Sequence, residues 1–143
     1  VYQQLFFQLI LATRPFDTQL KEQLAKYNLH RTEWAVLTYL MTDENMSLVT
    51  IGRVLGMDKP NVTRTVKRLI ELGYIELHPS ENDRRIKMVK IKETARSLYQ
   101  EIRTTIDAFE QEILGGVSEE EQQAMYNGLK KIRENLIKRA GDI

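Results

Sequence analysis

The chain has 143 residues, 42% hydrophobic and 29% charged, with a formal net charge of +1; that is enough for one domain with a real core, and neither a disordered nor a membrane-embedded composition. It has no cysteine, which excludes disulfides, thiolate metal sites and thiol redox sensing by its own residues. The longest apolar stretch, Leu5 to Ala12, is broken by Gln8; it falls short of the ~20 residues of a membrane span and lacks the basic flank of a signal peptide. No membrane partner is expected, and the expected location is the cytoplasm. The first residue is Val rather than Met, so native N-terminal sequence is expected to precede it.

In chain order, residues 2–26 carry Leu5, Phe6, Leu9, Ile10, Phe16, Leu20 and Leu24 at mostly three- and four-residue steps, which predicts a long helix. Pro15 lies inside it and predicts a kink or interruption. A second helix is expected over about 31–41, capped by His30 or Thr32, with Trp34, Leu37 and Leu40 on one face. Ser47 is a good N-cap for a short helix through Leu48, Ile51, Val54 and Leu55 that stops at Gly56. Asp58 then caps another, with Pro60 tolerated in its first turn and Val62, Val66, Leu69 and Ile70 or Leu72 facing inward until Gly73. Two short helices joined by a tight turn containing Gly make a helix-turn-helix unit.

After Gly73 the period changes to two. Ile75 and Leu77, and later Val89 and Ile91, alternate with polar neighbours and predict the two strands of a hairpin, a wing. Its polar connection, residues 79–86, is tipped by Asn82, Asp83, Arg84 and Arg85. The helical period returns from Lys92 through Ala95, Leu98, Tyr99, Ile102, Ile106, Phe109 and Ile113, and breaks at Gly115 and Gly116. Ser118 with Glu121 forms a capping box for a last helix bearing Met125, Leu129, Ile132 and Leu136. The fold class is therefore mainly α with a small β-hairpin wing: a winged helix-turn-helix flanked by terminal helices.

Charge is segregated along this order. From Arg53 to Lys92 there are ten Lys or Arg against five acids, whereas Glu101 to Glu121 is acidic. A basic centre of this kind suits phosphate, and the expected partner is double-stranded DNA. On the second helix of the motif, expected over 59–72, the side chains not needed for packing are Lys59, Asn61, Thr63, Arg64, Lys67 and Arg68, with Pro60 beside them. The N-terminal members of such a helix reach base edges in a major groove. Arg pairs bidentately with guanine and Asn with adenine, which makes Asn61 and Arg64 the leading base readers. Arg84 and Arg85 are either solvated turn charges or groups that enter an adjacent minor groove, with Asp83 orienting an Arg fork. Ser47 and Thr50 either cap their helix or offer hydroxyls and amides to phosphate.

The run Leu48-Val49-Thr50-Ile51-Gly52-Arg53-Val54-Leu55-Gly56-Met57-Asp58-Lys59-Pro60-Asn61-Val62-Thr63-Arg64, the later Leu69-Ile70-Glu71-Leu72-Gly73-Tyr74-Ile75 and the wing's Asp83-Arg84-Arg85 resemble the multiple antibiotic resistance regulator (MarR) family. The resemblance extends over residues 2–139. It implies a homodimer whose dimerisation helices lie in 1–28 and 96–143, with the DNA-binding region over 29–95. It also implies a pseudo-palindromic operator, and repression as the usual outcome. The terminal helices carry more apolar surface than a small winged domain covers, so they form either a second-copy interface or a helical layer within one subunit. Two departures stand out: Ile91-Lys92-Glu93-Thr94-Ala95 replaces the family's Leu-Thr-x-x-Gly and predicts a shifted helix start, and His30 stands where Thr is usual.

The resemblance further implies a small phenolic or anionic effector, with Phe6, Ile10, Arg14, Trp34 and Leu37 as the residues that would line its pocket; plain core packing is the competing account of the apolar four. His30 and His78 are the only histidines and lack a carboxylate cluster, so no metal or other cofactor is expected. No nucleophile constellation or Gly-rich phosphate loop points to an enzyme. A winged domain docking a protein is the alternative to DNA binding, and the basic recognition face, poor in aromatic anchors, argues against it.

Overall fold

The computed structural model describes residues 2–43 and 46–141. Residue 1 and residues 142–143 of the expected dimerisation segments, and residues 44–45 of the expected DNA-binding region, lie outside these. The element order is α1 (Tyr2–Ala25), α2 (Arg31–Thr42), β1 (Met46–Ser47), α3 (Leu48–Leu55), α4 (Lys59–Glu71), β2 (Ile75–Pro79), β3 (Lys87–Ile91), α5 (Glu93–Ile113) and α6 (Glu119–Ala140). The chain divides into two compact units after Asp107.

In the first unit, α2 supplies the centre of the core. Val36, Leu37 and Leu40 are fully buried, and Leu24, Met46, Ile51, Leu69, Ile75, Val89, Ile102 and Ile106 are sealed with them. Full burial of a side chain such as Leu37 contributes about 2 kcal/mol. Trp34 stacks on Tyr99 of α5 with ring centroids 5.1 Å apart, and the Arg103 guanidinium lies 5.4 Å from the Trp34 ring centroid. Tyr27 and Thr105 hydroxyls hydrogen-bond between the turn after α1 and α5.

Pro15 does not interrupt α1, which runs through it without a break. Proline removes one backbone donor; its neighbourhood is exposed, where water can satisfy the carbonyl left over, and regular turns on both sides carry the helix on. His30 is the N-cap residue of α2, and its backbone N–H donates to the Glu33 carboxylate at 2.8 Å. Helix α4 buries Val62, Thr65, Val66 and Leu69, a stripe of three- and four-residue steps. Ile70 and Leu72, expected inward, are more than a third exposed: Ile70 lies beside that stripe, and Leu72 is the C-cap residue at the helix end.

The sheet has three strands in the order β1-β3-β2, one more than the hairpin alone. Ile75 pairs with Ile91 and Leu77 with Val89; Met46 pairs with Val89 from the other side. Two residues are too few to show a period, so β1 left no pattern to read. Helix α5 begins at Glu93 and buries Ala95, Tyr99, Ile102 and Ile106.

In the second unit, α6 is capped by Ser118, whose side chain accepts from the Glu121 N–H at 3.1 Å while the Glu121 carboxylate accepts the Ser118 N–H at 3.0 Å. No residue of α6 is buried, and Met125, Tyr126, Leu129 and Leu136 are about half exposed or more. Among the described residues no helix is long and apolar enough to cross a membrane.

The turn between α3 and α4 depends on close backbone approach. A Cβ on Gly52 would stand 3.1 Å from both Met57 O and Val62 Cγ2, tighter than ordinary contact, while Gly56 closes α3 at φ 66, a left-handed conformation that glycine adopts freely. Gly52→Ala is expected to lower stability by roughly 1–3 kcal/mol through overpacking, measured by urea unfolding. An unchanged midpoint would mean that α3 and α4 have room to separate.

Candidate nucleic-acid interface

Helix α4 sorts its polar residues onto two different sides. Lys59, Pro60, Thr63, Arg64 and Lys67 are exposed and Asn61 is half-buried. The Asp58 carboxylate accepts the Asn61 backbone N–H at 2.9 Å and so caps the helix. Arg64 Nη2 donates to Asn61 Oδ1, which joins the two leading base readers to each other.

Arg68 departs from expectation. Its Nη1 donates to both Glu33 carboxylate oxygens at 2.7 Å, and its Nη2 donates to the backbone oxygen of Asn28 at 2.8 Å and to Asn28 Oδ1 at 3.1 Å. His30 Nδ1 stands 3.3 Å from Arg68 Nη1. Glu33 is only 2% exposed, so it needs a cation, and Arg68 supplies it across the helix packing. Arg68 therefore ties α4 to the start of α2 instead of standing free beside Arg64 and Lys67.

The wing is ordered by its own polar groups. Ser80 N–H donates to Ile86 O at 2.8 Å and Ile86 N–H to Asp83 O at 3.0 Å, while Asn82 N–H donates to Ser80 Oγ at 3.3 Å. Asp83 accepts from Arg85 Nε at 3.1 Å and from Arg85 Nη2 at 3.0 Å, a two-pronged geometry that planar guanidinium favours. Arg85's side-chain and backbone hydrogen bonds hold the Asp83 carboxyl below its ordinary pKa, and Asp83 in turn raises that of Arg85. The lowered carboxyl is ionised near neutral pH, so the fork persists there. Arg84 is exposed.

At the start of α3, Ser47 Oγ accepts the Thr50 N–H at 3.1 Å, and the two hydroxyls are 2.9 Å apart. The Ser47 side chain thus caps α3, and the Thr50 hydroxyl is partnered with it. Between α3, the first turns of α4 and the base of the wing lies a cavity of about 520 Å³ with Leu48, Val49, Met57, Val62 and Ile86 in its lining. Arg53, Lys59, Arg85 and Lys87 line it too, so one concave surface gathers cations from three elements. Arg53 and Lys87 were not singled out in the sequence. Each is one basic residue in a basic region, and only the packing of α3 and β3 beside α4 gives them a shared face.

The five residues expected around an effector differ in burial. Trp34 and Leu37 are closed into the core, whereas Phe6 and Ile10 are exposed on α1 together with Arg14. Core packing accounts for the first two. Among the described residues no group of three or more His, Cys, Asp or Glu is placed to hold a metal ion.

A helix pair with a tight glycine turn, an exposed cationic second helix and a basic hairpin beside it define the class of winged helix-turn-helix proteins. The comparisons agree. A model described as MarR family matches residues 27–86. Over 124 residues the chain is 33% identical to the uncharacterized HTH-type transcriptional regulator YwoH of Bacillus subtilis (strain 168), spanning 87% of this chain and 90% of that protein. Its fold is similar to that of the transcriptional regulator BldR from Sulfolobus solfataricus, with a TM-score of 0.83, 22% identity and coverage of 94% and 95% of the two chains. It is also similar to Staphylococcus aureus MarR in complex with salicylate and kanamycin, with a TM-score of 0.80, 24% identity and coverage of 96% and 93%. The chain belongs to the MarR family of transcriptional regulators.

Removing Arg68 takes away the guanidinium that pairs with the buried Glu33 carboxylate. Arg68→Met is expected to cost about 3 kcal/mol, and Glu33→Leu in the same chain to recover most of it, since a broken buried pair is worse than an apolar one. Urea unfolding of the single and double variants measures both, and a single variant as stable as the parent would show that water already reaches Glu33.

Proposed function

We propose that the chain is a homodimeric repressor that binds a pseudo-palindromic operator, with α4 in the major groove and the wing tip beside the adjacent minor groove. The observation that carries this reading is the cationic surface shared by Arg53, Lys59, Arg85 and Lys87, flanked by exposed Arg64, Lys67 and Arg84. Lys59, Lys67 and Arg53 meet phosphates as point charges or forks, Asn61, Thr63 and Arg64 meet base edges, and Arg84 and Arg85 enter the narrow groove. Asn82 and Asp83 shape the tip, Pro60 starts the helix, and Ser47 and Thr50 present the start of α3 to the backbone. Arg68 has left this set for Glu33.

The dimer reading is supported by each unit separately. Leu5, Phe6, Phe7, Leu9, Ile10 and Leu11 of α1 are exposed, and so are Leu129 and Leu136 of α6. Apolar surface of this extent costs about 25 cal/mol per Å² in water and marks an association face. Two-fold pairing of the terminal helices would set recognition helices about 34 Å apart, one turn of DNA. An effector that favours another spacing would release the operator through its differential affinity. A small phenolic anion is the proposed class, since a structural relative is described with salicylate. With Trp34 and Leu37 in the core, Phe6, Ile10 and Arg14 are the expected pocket residues left to meet it.

Selection of bound sequences from a random DNA library at two salt concentrations, with mass in solution measured by light scattering, tests the reading. The expected result is an inverted repeat bound by a dimer, with affinity falling at a log–log slope of about −0.9 per phosphate contacted. No enrichment by a folded dimer would remove it. Arg64→Ala is expected to flatten operator preference by roughly tenfold, whereas Arg85→Ala weakens specific and random DNA more evenly; equal losses on both DNAs for both variants would contradict this division.

A further inference from the structure

We propose that Asn61 and Arg64 read DNA as one coupled, donor-rich unit that selects acceptor-bearing base edges, guanine first, rather than as an adenine reader beside an independent guanine reader. The inference rests on the reading of α4 as the recognition helix and names what that helix recognises.

The two residues are three apart on α4 and so share a face, and the Arg64 guanidinium donates from Nη2 to Asn61 Oδ1. That bond changes what each side chain has left to offer. A free Asn amide brings two N–H donors and an oxygen with two lone pairs, and a guanidinium brings five donors. With one donor and one lone pair spent on each other, the pair turns roughly six N–H groups and a single lone pair toward its surroundings. Adenine recognition by Asn needs the amide oxygen to accept from N6 while the amide nitrogen donates to N7. Here that oxygen already holds a cation, which draws its electron density away from a second donor. Guanine shows two acceptors, O6 and N7, on the same edge, and matches what remains.

The geometry of the helix supports a joint footprint. Residues three apart rise about 4.5 Å along a helix axis, close to the ~3.4 Å between successive bases of one strand, so the pair spans neighbouring base pairs. The Asn61 backbone is pinned by the Asp58 cap at 2.9 Å, which holds the residue in the first turn, where recognition helices touch bases. The chain has no carboxylate between Asp58 and Glu71, so no acid on this face stands ready to accept from adenine N6 or cytosine N4. Arg68, the other arginine of α4, is turned inward to Glu33, which leaves Arg64 as the guanidinium of this helix on the reading side.

The test begins with the operator selected from a random library by the full chain. Competition binding then compares the parent, Asn61→Ala, Arg64→Ala and the double variant on duplexes carrying each of the four base pairs at every selected position. The expected result is a guanine preference that each single substitution cuts by about tenfold, with the double variant no worse than the weaker single. Thermal unfolding of the variants is expected to match the parent. An adenine preference abolished by Asn61→Ala while Arg64's guanine preference stands, or losses that multiply in the double variant, would overturn the inference and leave DNA binding intact. Failure of the folded parent to select any sequence would overturn DNA reading by α4 and the inference with it.

Discussion

The buried ion pair between Glu33 and Arg68 is the constraint on which the working surface depends. A helix held only by an apolar stripe can turn about its axis until the stripe frays, because dispersion and area burial are nearly indifferent to small rotations. A carboxylate that is 2% exposed is not indifferent: it demands its cation at hydrogen-bond distance, since an unpaired buried charge costs several kcal/mol. Arg68 reaches it and also grips Asn28. The rotation that allows this places Val62, Thr65, Val66 and Leu69 inward and leaves Lys59, Thr63, Arg64 and Lys67 in the open.

The other elements of the surface are fastened to the same body. Gly52 lets α3 and α4 meet closely, and β1, which leads directly into α3, hydrogen-bonds to the wing strand β3 through the Met46–Val89 pair. The wing and both helices of the motif therefore share one framework, and the cations of α3, α4 and β3 are presented at fixed separations. Preorganisation of this sort reduces the ordering cost of binding. At the tip, Asp83 does for Arg85 what Glu33 does for Arg68, with the difference that Arg85 stands in solvent while the Glu33 carboxylate is buried.

Much of this was legible in the chain because it is written in short-range patterns. The helices, the Ser47 and Asp58 caps, the Ser118–Glu121 capping box and the change of period at Gly73 all follow from residues a few positions apart. The Asp83 partnership with an arginine was legible too, being confined to one turn. The expectations that shifted all involve distant partners or solvent. Pro15 was tolerated because its surroundings are exposed, Ile70 and Leu72 stood toward solvent at the side and end of the buried stripe, and the assignment of Trp34 to the core depended on Tyr99 and Arg103 in a helix far along the chain.

By itself, then, the sequence determined the order and type of the elements, the basic centre and the family, since periodicity, turn chemistry and charge segregation are local or additive properties. Which way each polar residue faces was decided by tertiary structure. Arg64, Lys67 and Arg68 look alike in a string of letters, and only the position of Glu33, thirty-five residues before Arg68, turns one of them inward. Arg53 and Lys87 likewise became part of one surface only when α3 and β3 packed beside α4. Desolvation makes the difference: it acts on a group according to what surrounds it in space, and that neighbourhood is assembled from every part of the fold at once.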